Sequence, residues 1–282
     1  MSTFLLKLIA LLVMIVDHTG VVFQPLFDVS LLRCIGRIAF PIFLFFVSEG
    51  CRRTRNIKLY MLRLGMFALI SELPYDLATA SIRIPASGSV GIGALDFMGR
   101  QNVFFTLFLG ALCVYIFQMF YKSSKQYIYI ILIPFVIYLG DVFHTDYGSL
   151  GVMFVFILYI LPYGVQEAGK PLKMSSEGKF FRLAAIFCLL TYLYIYEQIN
   201  FYNAGSLINA GGFSLLLERR PEVISDYSLE LMLFSCISIF LLTFYNNKRG
   251  ASLRWLFYAS YPVHLLILGI IRFLYVIPKV YH

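Results

Sequence analysis

The chain has 282 residues, of which 60% are hydrophobic and 13% charged, and it carries a formal net charge of +8. Soluble domains carry about 25% charged residues and cannot hide this much apolar surface, so a soluble enzyme or binding module is excluded. The positive balance does not indicate a nucleic-acid partner, because Lys and Arg collect in the cytoplasmic loops of membrane proteins.

Apolar stretches of roughly 17–25 residues, long enough to cross a bilayer as helices, recur along the whole chain. They predict segments at 4–23, 31–51, 59–79, 102–121, 126–143, 147–164, 180–202, 229–246 and 253–277. The expected class is all-α: a polytopic integral membrane protein of about nine transmembrane helices, forming one domain over residues 1–282. The first segment is no cleavable signal. It is too long, it holds Asp17 and His18, and no small-residue cleavage site follows. Cys34, Cys51, Cys113, Cys188 and Cys236 lie in or beside apolar runs, in no metal-binding spacing, and read as small apolar filler.

Alternate loops differ in charge. The second holds Arg52, Arg53, Arg55 and Lys58, the fourth Lys122 and Lys125, the sixth Lys170, Lys173 and Lys179, and the eighth Lys248 and Arg249. The odd-numbered loops hold only Arg83, Arg100, Arg219 and Arg220, beside many acids. The positive-inside rule then puts the N-terminus in the cytoplasm and the C-terminus outside. Two outer loops are long. Residues 80–101 are rich in Gly, Ser and Pro, and their G-x-G spacing follows no strand, which argues against a dinucleotide site. Residues 203–228 mix apolar and charged groups and suit a short interfacial helix.

Ionisable groups at bilayer depth cost at least about 2.5–3.5 kcal/mol and persist where they pair, line a wet cavity or do chemistry. Asp17 and His18 fall in the outer half of the first segment. Arg33 and Arg37, four apart on one helix face, lie at the outer end of the second. Glu72 and Asp76 share the outer end of the third. Gln101 and Asn102 open the fourth, Asp146 and Tyr147 open the sixth, and His264 is near the middle of the ninth. Several helices thus put polar groups at one depth, around a candidate enclosed site above a basic cytoplasmic face. The plainer readings are snorkelling for Arg33 and Arg37, a simple ion pair for Glu49, and hydrogen-bonded packing for His18 and His264.

The stretches "LKLIALLVMIVDHTG", "LRCIGRIAFPIFLFFVSEGCRRTRN", "YMLRLGMFALISELPYDL", "QNVFFTLFLG", "DYGSLGVMFV" and "FYASYPVHLL", in this order, resemble the TraX family of membrane acetyltransferases. The resemblance implies an acetyl-CoA-dependent acyltransferase of the bacterial cytoplasmic membrane. The best-known family activity is N-acetylation of a pilin N-terminus. It leaves the acceptor open between a peptide or pilin amine and the hydroxyl of an exported glycan.

Acetyl transfer needs a base, donors for an oxyanion and a grip on the acetyl donor. His18 is the expected general base, since an unperturbed imidazole titrates near 6.5. Neighbouring helix residues point about 100° apart, so either the helix is distorted at this pair or Asp17 serves another partner, with Arg33 or Arg37 the natural candidates. Arg33, Arg37, Asn102 and Tyr147 are candidates for stabilising the oxyanion or orienting the acceptor. Glu72, Asp76, Gln101, Asp146 and His264 complete the catalytic and acceptor-binding set. Arg52, Arg53, Arg55, Lys58 and Arg63 are the expected grip on coenzyme A phosphates. No zinc spacing and no G-x-S-x-G nucleophile is present. The competing classes are a transporter with an intramembrane proton or solute pathway and an inactive assembly partner.

Overall fold

The computed structural model describes residues 1–79, 99–121, 123–164, 173–201 and 226–281, with the backbone alone at 193–201, 226–229, 254 and 281. The regular elements described are all helices: α1 (Thr3–Phe23), α2 (Ser30–Gly36), α3 (Ala39–Arg53), α4 (Ile57–Thr79), α5 (Val103–Phe120), α6 (Tyr127–Val142), α7 (Gly148–Ile160), α8 (Ser176–Phe201), α9 (Asp226–Thr243) and α10 (Arg254–Ile271). A π-helical turn (Arg272–Val276) then leads into α11 (Ile277–Tyr281). The long outer segments, including the expected interfacial helix within 203–228, fall largely outside the described residues.

Among the described residues, four helical stretches are long and apolar enough to cross a membrane: Thr3–Phe23, Ser30–Arg53, Val103–Phe120 and Trp255–Val280. Tyr127–Val142, Gly148–Ile160 and Glu230–Thr243 are apolar but shorter. At 1.5 Å per residue α6 and α7 reach only about 24 and 20 Å, against a hydrocarbon core of about 30 Å. The chain reverses between them in the tight turn 143–147, where His144 and Tyr147 take positive φ of 50° and 63°.

The core is organised around α3. Eleven of its 15 residues are buried, on every side of the helix, the pattern of an element enclosed by others. It packs against α1, α5, α7 and α9. Pro41 sits in the first turn of α3, where its missing N–H needs no helical partner; a helix running through from α2 would require that N–H at the Arg37 carbonyl. Between lipid-facing helices there is little hydrophobic gain from association, so close packing has to hold them together. Small residues permit it here: a Cβ on Gly110 would lie 2.5 Å from Val155, and one on Gly151 would lie 2.5 Å from the Thr106 methyl. α4 lies along α10, and Arg272 donates to the Leu77 carbonyl at 3.2 Å, near the end of α4 where carbonyls lack helical partners.

Polar groups concentrate at the two ends of this bundle. At one end the segment 243–249 is a hub. The Thr3 and Phe4 amides donate to the Lys248 and Arg249 carbonyls at 2.9 and 3.1 Å. The Met174 amide donates to Asn247 Oδ1 at 3.1 Å, and Lys179 donates to the Tyr245 carbonyl at 3.1 Å. Arg52, Arg53, Arg55, Lys58, Lys173, Arg182, Lys248 and Arg249 gather there. The opposite end holds Asp17, His18, Arg33, Arg37, Glu72, Asp76, Asn102 and Tyr147.

Candidate active site

The acidic and imidazole groups of α1 look in different directions. Asp17 faces α2, where Arg33 Nη1 lies 2.7 Å from its Oδ1. Each side chain keeps about a fifth of its surface exposed, 23% for Arg33 and 20% for Asp17. The approach depends on Gly36, because a Cβ there would meet Asp17 Cβ at 2.2 Å and Oδ1 at 2.3 Å. Asp28 starts α2 by accepting the Ser30 amide at 2.9 Å, and that bond holds its carboxyl below the usual range.

Directly after Gly36 the second predicted segment is interrupted. The Arg37 and Ile38 amides bond to Cys34 and Ile35, a tightened i→i+3 turn, before α3 begins. The interruption turns Arg37 toward α7, where Nη1 donates to the Tyr147 hydroxyl at 3.4 Å. Tyr147 caps α7 in the left-handed region, and its ring stacks on Phe40 with centroids 3.4 Å apart. A non-glycine residue in that conformation costs about 1–3 kcal/mol, and such strain clusters at functional sites.

On the other side of α1, His18 Nδ1 lies 2.7 Å from His264 Nε2 on α10. The ring planes differ by 10°, with centroids 5.0 Å apart. A face-to-face stack with nitrogens this close would bring the centroids much nearer. The rings therefore lie end to end in nearly one plane, one nitrogen aimed at the other. His264 Nδ1 in turn lies 2.6 Å from the Ser260 carbonyl, and the Tyr261 ring sits edge-on to both imidazoles.

The third group joins α4 to α5. Asn102 is fully buried and caps α5 by accepting the Phe104 amide at 3.0 Å. Its Nδ2 donates to the Ala68 carbonyl at 2.8 Å and also to Glu72. Both amide hydrogens are thereby used between helices, which makes Asn102 a clamp; donation to an oxyanion would require releasing one of these bonds. Glu72 keeps a second, buried oxygen, Oε1, with no hydrogen-bond partner among the described residues. Asp76 is buried one turn further on. Gln101 is held through its backbone: its amide donates to the His144 carbonyl at 3.0 Å, and its carbonyl accepts the Asp146 amide at 2.9 Å. The Asp146 carboxyl is within electrostatic reach of Arg100, Arg37, Arg33 and Asp17.

The five residues expected to grip phosphates divide. Arg53 Nε bonds Glu49 at 3.0 Å, and its other nitrogens donate to Tyr163 at 2.8 Å and to both oxygens of Asn247 at 3.1 Å. Arg52 donates to the Tyr159 carbonyl and lies over the Tyr159 and Tyr163 rings, 4.5 Å from each centroid. Both are thus held by groups of this chain at the basic end, Arg52 half-buried and Arg53 partly exposed. Arg55 and Lys58 are exposed at its rim, and Arg63 is half-buried further along α4.

Sequence reasoning missed several participants. Arg182, 1% exposed, donates to the carbonyls of Leu161, Pro162 and Gly178; an arginine just inside the start of a predicted segment was the available signal. Tyr163, Asn247, Ser260 and Tyr261 carry no charge in the sequence and gave none.

The family model described as TraX protein matches residues 2–272. A curated relative, "Probable fimbrial assembly protein FimC, serogroup H1" of Dichelobacter nodosus, is 26% identical over 273 residues, covering 95% of this chain and 94% of the relative. No solved structure matches the chain.

Proposed function

The chain belongs to the TraX family, and on that premise we propose that it is an integral-membrane acetyltransferase. It moves an acetyl group from acetyl-CoA to the terminal amine of a pilin- or fimbria-type subunit. The observation that carries the reading is the end-to-end His18–His264 pair, with the Asp17–Arg33 ion pair beside it on α1, which packs against both α2 and α10. The relative's role in fimbrial assembly supports the choice of acceptor. The gathering of basic side chains at one end supports nine crossings of the cytoplasmic membrane, with that end in the cytoplasm.

In the proposed reaction the acceptor nitrogen attacks the thioester carbon while His18 takes its proton. The C–S bond then breaks and the proton passes to the leaving thiolate, giving an acetamide and the coenzyme A thiol. Arg37 and the Tyr147 hydroxyl supply donors for the oxyanion, and Asp76 and Asp146 hold the acceptor amine. The donor's phosphates suit Arg55 and Lys58 at the rim of the basic end. From Thr3 to His18 is 15 residues of α1, about 22 Å at 1.5 Å per residue, a distance for the donor's flexible arm to run between helices.

The test uses protein in lipid nanodiscs with acetyl-labelled coenzyme A and two acceptors, a peptide with a free N-terminus and a sugar. Transfer to the peptide and its loss in His18→Ala are expected. No cofactor binding and no transfer to either acceptor overturns the enzyme reading; preference for the sugar overturns the acceptor.

A further inference from the structure

We propose that His264 is a positioning residue that fixes the tautomer of His18 and leaves His18 Nε2 as the proton-accepting nitrogen. As an account of catalysis this rests on the acetyltransferase reading; as an account of tautomers it stands on geometry alone.

The Ser260 carbonyl can only accept, so the 2.6 Å contact requires the hydrogen on His264 Nδ1. A neutral His264 then carries a lone pair on Nε2. The 2.7 Å contact from that nitrogen to His18 Nδ1 requires a hydrogen on His18 Nδ1. His18 is left with its lone pair on Nε2. That nitrogen makes no hydrogen bond to any described residue, and the His18 ring keeps part of its surface exposed. The coplanar, end-to-end placement of the rings is the alignment an N–H···N bond needs.

The arrangement also helps after the proton has moved. When His18 takes a proton at Nε2 it becomes an imidazolium, and its Nδ1–H bond to His264 becomes charge-assisted. Such bonds are roughly twice as strong as neutral ones. The gain appears only as the proton transfers, which is the condition for accelerating the step. Asp17 stands next to His18 in the sequence but is committed to Arg33. A neutral imidazole on α10 fills the orienting role that sequence adjacency suggests for the carboxylate.

The experiment is solid-state NMR of ring-15N histidine protein in nanodiscs, with the His18 signals identified by their loss in His18→Asn. The expected wild-type pattern is a protonated Nδ1 and a bare Nε2 on His18. His264→Phe, which keeps a ring but removes the acceptor, moves the hydrogen toward Nε2. It also lowers kcat on the order of 100-fold, the scale of lost general-base catalysis, with little change in the acceptor KM. His264→Gln, whose amide oxygen can accept the same bond, retains the wild-type His18 pattern. A wild-type His18 protonated on Nε2, or His18 signals indifferent to His264→Phe, overturns the proposal. Should His264→Phe not fold, the wild-type and His264→Gln spectra still decide it. Absence of acetyl transfer alongside the expected tautomers counts against the reaction alone.

Discussion

Gly36→Ala adds one methyl group where α1 and α2 touch. The new carbon would sit 2.2 Å from Asp17 Cβ, 2.4 Å from its Cγ and 2.3 Å from Oδ1. Ordinary contact begins at 3.4 Å, so the helices must part by about 1.2 Å at this point (3.4 less 2.2). Asp17 Cβ is fixed to the α1 backbone, so no rotamer change relieves the overlap. Overpacking of this kind costs about 1–3 kcal/mol, and the same shift would stretch the 2.7 Å bond to Arg33. Asp17→Gly removes all three clashing atoms. In that background Gly36→Ala should be neutral or stabilising by up to about 1 kcal/mol, since alanine is the better helix former. Thermal unfolding of the four proteins of this double-mutant cycle in nanodiscs measures the coupling. Equal effects of Gly36→Ala in both backgrounds would refute the claim that glycine is there to admit Asp17.

Two further perturbations test the other polar groups. Arg53→Ala leaves the buried Glu49 carboxylate without its cation and should lower stability by about 3 kcal/mol, the low end for a broken buried pair because Arg53 is partly exposed; Arg53→Lys, which cannot reproduce the fan of bonds to Tyr163 and Asn247, should recover less than half of that in the same melt. Asn102→Ala removes the α5 cap and two bonds to α4, at about 1 kcal/mol each; a loss under about 1 kcal/mol in denaturant titration would show that the clamp is not structural.

The helices were legible because their cause is local: runs of apolar residues that can satisfy their backbone in lipid only by coiling. The segment predicted at 4–23 is α1 at Thr3–Phe23. The gathering of Asp17, Arg33, Arg37 and Tyr147 at one level was legible for a similar reason, since depth along a helix follows from counting residues. What lay beyond counting was which face meets which neighbour. The break after Gly36 has a local signal in Pro41, which cannot donate to the Arg37 carbonyl four residues earlier and crowds it; that Gly36 admits Asp17 of another helix was not readable from residues 31–51. Arg52 and Arg53 read as free cations because Tyr163 and Asn247, which occupy them, lie more than 100 positions away. His264 was placed among acceptor-binding residues because the sequence separates it from His18 by 246 positions.

That separation has a consequence for biosynthesis. Both polar ends join α1 to residues far along the chain: Thr3 and Phe4 bond to Lys248 and Arg249 in the segment before α10, and His18 bonds to His264 on α10. The pair His18–His264 cannot close until the 246 positions that separate them have been synthesised. Until then α1 waits in lipid with His18 unsupported by α10. An intermediate of that kind is a natural client for the insertion machinery, and chains truncated before residue 264 would be expected to turn over quickly and to lack the imidazole pair altogether.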